Sequence, residues 1–228
     1  MISVCMLFAS NIYGQKKDNN KQKPMTTKTD SISYVLGQEV GGYYLSQEII
    51  VNIDEFTQGF KDAFNKISAI EPATKERIIQ QFQMEQQAKA TAKSVEKSGA
   101  NKAKGAAFLE ANKKNAGVIT TPTGLQYKIT QDGNGVHPKA EDVVKVHYHG
   151  TLIDGTVFDS SVQRNEPATF PLNRVIPGWT EGVQLMTVGS KFTFYIPSNL
   201  AYGDRETGSI APGSTLIFDV ELIEINPK

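Results

Sequence analysis

The chain has 228 residues, enough for one large domain or two modest ones. Its 39% hydrophobic and 21% charged content fits an ordinary soluble protein with some solvated sections. The formal net charge is zero, which excludes a basic nucleic-acid binder. That charge is unevenly shared, with 16 Lys/Arg against 12 Asp/Glu over residues 1–116 and 8 against 12 over 117–228. The halves are therefore +4 and −4, which points to two parts of different kind.

Ile2 to Tyr13 is a short apolar run, too short to cross a bilayer as a helix. It reads as the apolar region of a secretory signal cleaved near Gly14, although no basic leader precedes it. Residues 1–14 are accordingly assigned to a signal peptide and the protein to the periplasm or cell envelope; a frayed apolar terminus is the alternative. Cys5 is the only cysteine, so export leaves no disulfide, thiol nucleophile or cysteine metal site. Residues 15–29 are polar and lysine-rich, the composition of a disordered tether.

From Asp30 the pattern turns helical. Ile32, Val35, Leu36, Val40, Tyr43 and Tyr44 recur at three- and four-residue steps. A second helix starts at Asn52, an N-cap with Glu55 three residues on, and Ile53, Phe56, Phe60, Phe64 and Ile67 line one side. Two short helices cannot bury so many rings against each other, so residues 30–71 are expected to intertwine with a second copy. Pro72 suits the first turn of a third helix, and residues 73–116 are proline-free and rich in Ala, Lys, Gln and Glu. Gly99 and Gly105 are its expected weak points. Beyond Phe82 the apolar positions thin out, so 72–116 reads as an exposed connecting strut; a coiled coil is disfavoured by the lack of large a/d residues.

The segment 117–228 is rich in strands. Val118 to Thr123 reads as an extended linker, and strands are expected at Leu125–Thr130, Val143–His149, Ser190–Ile196 and Leu216–Ile225. Val144, Val146 and Tyr148 fall on one face, with Lys145, His147 and His149 on the other; Asp154-Gly155 then turns the chain back through Val157-Phe158. One short helix is signalled between Pro177 and Met186. The fold class is α+β: a curved antiparallel sheet wrapped on one short helix, behind an all-α domain and a long helix.

Val-His-Tyr-x-Gly at 146–150, Phe-Asp-Ser-Ser at 158–161, Val-Ile-Pro-Gly-Trp at 175–179, Ala-Tyr-Gly at 201–203 and Leu-Ile-Phe-Asp-Val-Glu-Leu at 216–222 occur in that order. Together they resemble the FKBP-type peptidyl-prolyl cis-trans isomerases. The preceding hundred residues look like the helical dimerisation domain of the bacterial Mip-like (macrophage infectivity potentiator) branch. The resemblance implies rotation about X-Pro bonds in unfolded or folding envelope proteins, without a cofactor. It places Tyr148, Phe158, Asp159 and Tyr202 as catalytic residues and Val175, Ile176, Trp179, Ile210, Phe218 and Arg164 as substrate-binding. It further implies that the Ile176 N–H and the Tyr202 hydroxyl donate to substrate carbonyls, that Trp179 forms the pocket floor, and that Arg164 supports Asp159 by charge. Macrolides become candidate ligands, although Ala168 stands where many members have a phenylalanine. A homodimer through residues 30–70 is the expected assembly.

Other chemistries are weaker. His147 and His149 face the same way but lack a third ligand, and a catalytic zinc site needs three protein ligands. Ser160-Ser161 lacks the glycines of a nucleophile elbow and a histidine in motif. The rival reading is a non-catalytic chaperone that holds unfolded chains in a dimer cleft.

Overall fold

The computed structural model describes residues 25–227, so the signal segment and most of the tether lie outside the described residues. The chain divides at Glu71/Pro72 into two compact units.

The first unit holds two helices, α1 (Lys28–Ser46) and α2 (Ile53–Phe64). Thr27 caps α1 with a reciprocal box, its hydroxyl accepting from the Asp30 N–H while the Asp30 carboxylate accepts from the Thr27 N–H. The helix thus starts two residues earlier than expected. Asn52 caps α2 as anticipated, its side-chain oxygen accepting from the N–H groups of Asp54 and Glu55, a feature worth about 1 kcal/mol. Neither helix buries a single residue. Leu45 is 80%, Ile50 98% and Phe64 76% exposed. The Tyr44–Phe56 and Phe60–Phe64 ring pairs, 5.7 and 5.0 Å apart, are small local contacts that leave the apolar stripe open.

The second unit opens with α3 (Pro72–Asn112), continuous through Gly99 and Gly105. At 1.5 Å per residue it spans about 60 Å. Seven strands follow: β1 (Val118–Thr120), β2 (Gln126–Gln131), β3 (Val143–Leu152), β4 (Val157–Ser160), β5 (Ala168–Pro171), β6 (Lys191–Ile196) and β7 (Leu216–Ile225). The one helix among them is α4 (Pro177–Val183). Every pairing is antiparallel, in the order β1-β2-β6-β7-β3-β4, with β5 beside the first half of β3. The "linker" at 118–123 is therefore partly an edge strand, and β5 was not foreseen. Alternation along β3, β6 and β7 puts Val144, Val146, Tyr148, Phe192, Phe194, Ile196, Leu216, Phe218, Val220 and Leu222 in one core with Trp179, Val183 and Met186 of the helical segment.

The expectation of an exposed strut fails for the second half of α3. Ser98, Gly105 and Asn112, seven residues apart, are buried on one helix face. The Asn101 side chain donates to the Pro212 carbonyl at 2.8 Å. Asn112 donates to the Gln126 side chain, which donates in turn to the Leu109 carbonyl, both at 2.9 Å. A side chain at Gly105 would run into the Thr215 hydroxyl. Gly105 thus allows the helix to approach the loop before β7. The helix is held by small and amide residues with satisfied buried polar groups and by the Phe108 ring, 6.0 Å from that of Tyr195 on β6, without a large-residue heptad.

Candidate active site

Tyr148 projects from β3, Phe158 and Asp159 from β4, and Phe218 from β7; Trp179 sits in the first turn of α4, which opens with Pro177. Their rings build a continuous aromatic wall. The Trp179 ring meets Tyr148, Phe170 and Phe218 edge-on at 5.4, 5.8 and 5.2 Å, and Phe158 meets Phe218 edge-on at 5.3 Å. A cavity of about 650 Å³ opens over them, lined also by Val175, Ile176, Pro177, Ala201, Tyr202 and the loop from Arg205 to Ile210. The Trp179 indole N–H is buried with no hydrogen-bond partner among the described residues, and the floor around it is built of aromatic rings.

One wall is charged. The Tyr148 hydroxyl donates to Asp159, and Arg164 approaches the other carboxylate oxygen at 2.5 Å while donating to the Tyr148 oxygen at 3.0 Å. Burial pushes the Asp159 carboxyl up, but the bonds from Tyr148 and Arg164 and the guanidinium charge outweigh it and hold it below the usual carboxylate range. Burial, and then the bond to Asp159, push the Tyr148 phenol up. Asp159 is thus an anion fixed by two donors, a poor proton carrier. Arg164 stands behind this carboxylate, its guanidinium 5.8 Å over the Tyr148 ring, and does not line the cavity. It braces the wall through Asp159 and Tyr148.

Two further donors at the cavity are without a partner among the described residues. Among the described residues the Ile176 N–H has no acceptor, since Ile176 uses only its carbonyl, toward Trp179 and Thr180. The Tyr202 hydroxyl likewise enters no hydrogen bond with a described residue, though its side chain lines the cavity. His147 and His149 instead bond the hydroxyls of Ser161 and Ser160 at 3.2 and 3.0 Å. Ser161 is fully buried and ties the β3 backbone at Tyr148. These side chains hold the Phe-Asp turn against β3.

All the sequence-derived site residues except Arg164 come together at this cavity. Sequence reasoning missed Phe170, Arg174 and Arg205. The Ala168-Thr169-Phe170 alternation is the signal for the first, since it marks an edge strand whose ring faces the pocket. No pattern marks the two arginines.

The antiparallel sheet, single helix and aromatic cavity with one charged wall define an FKBP-like unit, and the chain belongs to the FKBP-type peptidyl-prolyl cis-trans isomerase family. Residues 134–223 match the model described as FKBP-type peptidyl-prolyl cis-trans isomerase, and residues 29–129 match the domain amino terminal to it. The chain is 47% identical over 199 residues to the FKBP-type peptidyl-prolyl cis-trans isomerase FkpA of Aeromonas hydrophila, covering 84% of this chain and 74% of that protein. It is 44% identical over 205 residues to the outer membrane protein MIP of Legionella longbeachae, covering 88% and 87%. The crystal structure of FkpA from Escherichia coli superposes with a TM-score of 0.73 at 39% identity, over 90% of this chain and 99% of that one.

Proposed function

We propose that this isomerase turns X-Pro bonds in the aromatic cavity by desolvation and by binding the twisted amide, with no nucleophile and no proton transfer. The observation that carries this reading is the pairing of a ring-lined floor with two unpartnered donors at its edge, the Ile176 N–H and the Tyr202 hydroxyl. Rotation about X-Pro forfeits amide resonance, a barrier of about 18–20 kcal/mol. The twisted carbonyl is less polar than the planar one and loses less on leaving water, so a ring-lined floor favours it. Donors on the flanking carbonyls hold the turn-like geometry of the twisted state, so binding is tighter there than in either ground state. A thousandfold acceleration needs only about 4 kcal/mol.

Tyr148, Phe158, Asp159 and Tyr202 are the catalytic set in this reading, with Val175, Ile176, Trp179, Ile210 and Phe218 gripping the proline and its neighbours. Clients are unfolded or proline-containing polypeptides in the cell envelope. Two chains pair through residues 30–70, because α1 and α2 leave their apolar residues open to solvent in one copy. Macrolides enter the same cavity, with a looser grip because Ala168 offers no ring at its edge. The deciding experiment sets proline-limited refolding of a protein beside suppression of its aggregation. Faster refolding that is weakened in Tyr202→Phe supports catalysis. Aggregation suppression without faster refolding supports the chaperone reading.

A further inference from the structure

The loop after Tyr202 leaves the catalytic unit and rejoins it at one narrow neck. The Gly213 N–H donates to the Gly203 carbonyl at 2.8 Å, closing residues 203–213 into a ring, and the Gly203 N–H donates to the Ser198 carbonyl at 2.8 Å. At the tip, Thr207 and Ile210 exchange two backbone bonds of 3.0 and 2.9 Å. Thr207 to Ile210 line the cavity, as does Tyr202 at the neck, and the Ile210 side chain is buried. The loop is therefore a cavity wall at its tip and a hinge at its neck.

Helix α3 grips both sides of that neck. On the outgoing side, Asp204 accepts from the Ser98 hydroxyl and pairs with Lys102 at 2.5 Å. On the returning side, Asn101 donates to the Pro212 carbonyl at 2.8 Å. A Cβ at Gly213 would stand 2.4 Å from the Ser98 carbonyl oxygen, so helix and loop backbones touch there. Among the described residues, every hydrogen bond from residues 204–214 to an element outside the loop runs to α3. Ser98 is buried, which shields its bond to the carboxylate. The Lys102 pair is exposed and contributes little to stability by itself. We infer that Ser98, Asn101 and Lys102 are positioning residues for catalysis, which hold Tyr202 and the Ile210 tip at the cavity by gripping the neck. The inference rests on the isomerase reading and goes beyond it, since none of the three lines the cavity. Affinity for a fractionally populated state falls by that fraction, so a released tip in place about a third to a tenth of the time costs about three- to tenfold in kcat/KM.

The test uses the full chain, the triple variant Ser98→Ala/Asn101→Ala/Lys102→Gln, and Tyr202→Phe in both backgrounds. It reads kcat/KM on a short Leu-Pro peptide. The triple variant should lose about three- to tenfold with an unchanged Trp179 emission spectrum. Tyr202→Phe should cost about two- to tenfold in the unsubstituted chain. In the triple variant it should cost less than about twofold, because a hydroxyl no longer held in place has less to lose. An unchanged kcat/KM in the triple variant, or a Tyr202→Phe loss of equal size in both backgrounds, would overturn the positioning role and leave the isomerase reading intact. Should the triple variant not fold, the exchange of Lys102→Asp with Asp204→Lys decides. Each single substitution should lower kcat/KM and the pair should restore most of it; a pair no better than either single overturns the role. No acceleration of the Leu-Pro peptide by the unsubstituted chain would overturn the isomerase reading itself, and the positioning role with it.

Discussion

Gly150 separates the sheet from the cavity rings, and replacing it tests the aromatic wall from behind. It lies on β3, paired with Asp159 on one side and Phe218 on the other. A Cβ there would stand 2.7 Å from two Phe158 ring carbons and 2.9 Å from one of Phe218, where ordinary carbon contact is about 3.5–4.0 Å. Phe218 is 5% exposed and held by Trp179 and Tyr148, so Phe158, half-buried at the cavity, is the ring that yields. Overpacking of this kind costs about 1–3 kcal/mol. Against it stands a gain of about 0.4–1 kcal/mol from removing a glycine whose backbone other residues can adopt. Gly150→Ala should therefore lose about 1–2 kcal/mol, a fall in Tm of about 3–6 °C for a unit of this size. With Phe158 pushed into the cavity, kcat/KM on a short Leu-Pro peptide should fall about tenfold, a larger effect than the modest unfolding explains. Calorimetry and a peptide isomerisation assay read the two effects. Wild-type Tm together with wild-type kcat/KM would refute the placement of Phe158.

Tyr202→Phe removes a donor to the substrate and should slow isomerisation by about two- to tenfold, the worth of one hydrogen bond; Asp159→Leu strips the acceptor from both Tyr148 and Arg164 and should slow it more, each with unchanged far-UV circular dichroism. Asp159 has a folded pKa below its unfolded value near 4, so its contacts stabilise the fold above about pH 4 and fade as pH falls through the lower folded value. Urea midpoints should therefore drop more steeply between about pH 5 and 3 in wild type than in Asp159→Asn, and parallel curves would count against the pair. Phe60→Glu should give monomers, or unfold the α1–α2 unit alone, by light scattering; a stable dimer would remove the pairing from residues 30–70. Fragments beginning near residue 90 and at Gly117 should both be monomeric and active on short peptides. The shorter one should be about 1–3 kcal/mol less stable, because it forfeits the Asn112–Gln126 and Gln126–Leu109 bonds. Equal denaturant midpoints would show that the α3 seam contributes nothing.

Regular alternation made β3, β6 and β7 legible in the sequence, and the buried positions fall where the period of two placed them. Asn52 and Pro72 announced where α2 and α3 begin, and the apolar stripe and the helix-forming composition that follow them carried the rest. β5 escaped because its signal, the Ala168-Thr169-Phe170 alternation, is only three residues long before Pro171 ends the strand. The docking of α3 escaped for a different reason. Its seam uses Ser98, Asn101, Gly105 and Asn112, residues that a search for apolar periodicity discards, and whose partners lie more than 100 residues away in three cases. Arg174 and Arg205 were illegible because only the fold brings their segments to the cavity. Arg164 was legible as a partner of Asp159, and the geometry adds its bond to the Tyr148 oxygen.

The central claim is that the cavity accelerates X-Pro rotation without moving a proton. The measurement that tests it most directly is kcat/KM for cis–trans equilibration of a short Leu-Pro peptide by the full chain, in H₂O and in D₂O. Acceleration far above the spontaneous rate of tens to hundreds of seconds, with a solvent isotope effect close to one, is the predicted result. No acceleration, or a rate that falls severalfold in D₂O, would contradict it.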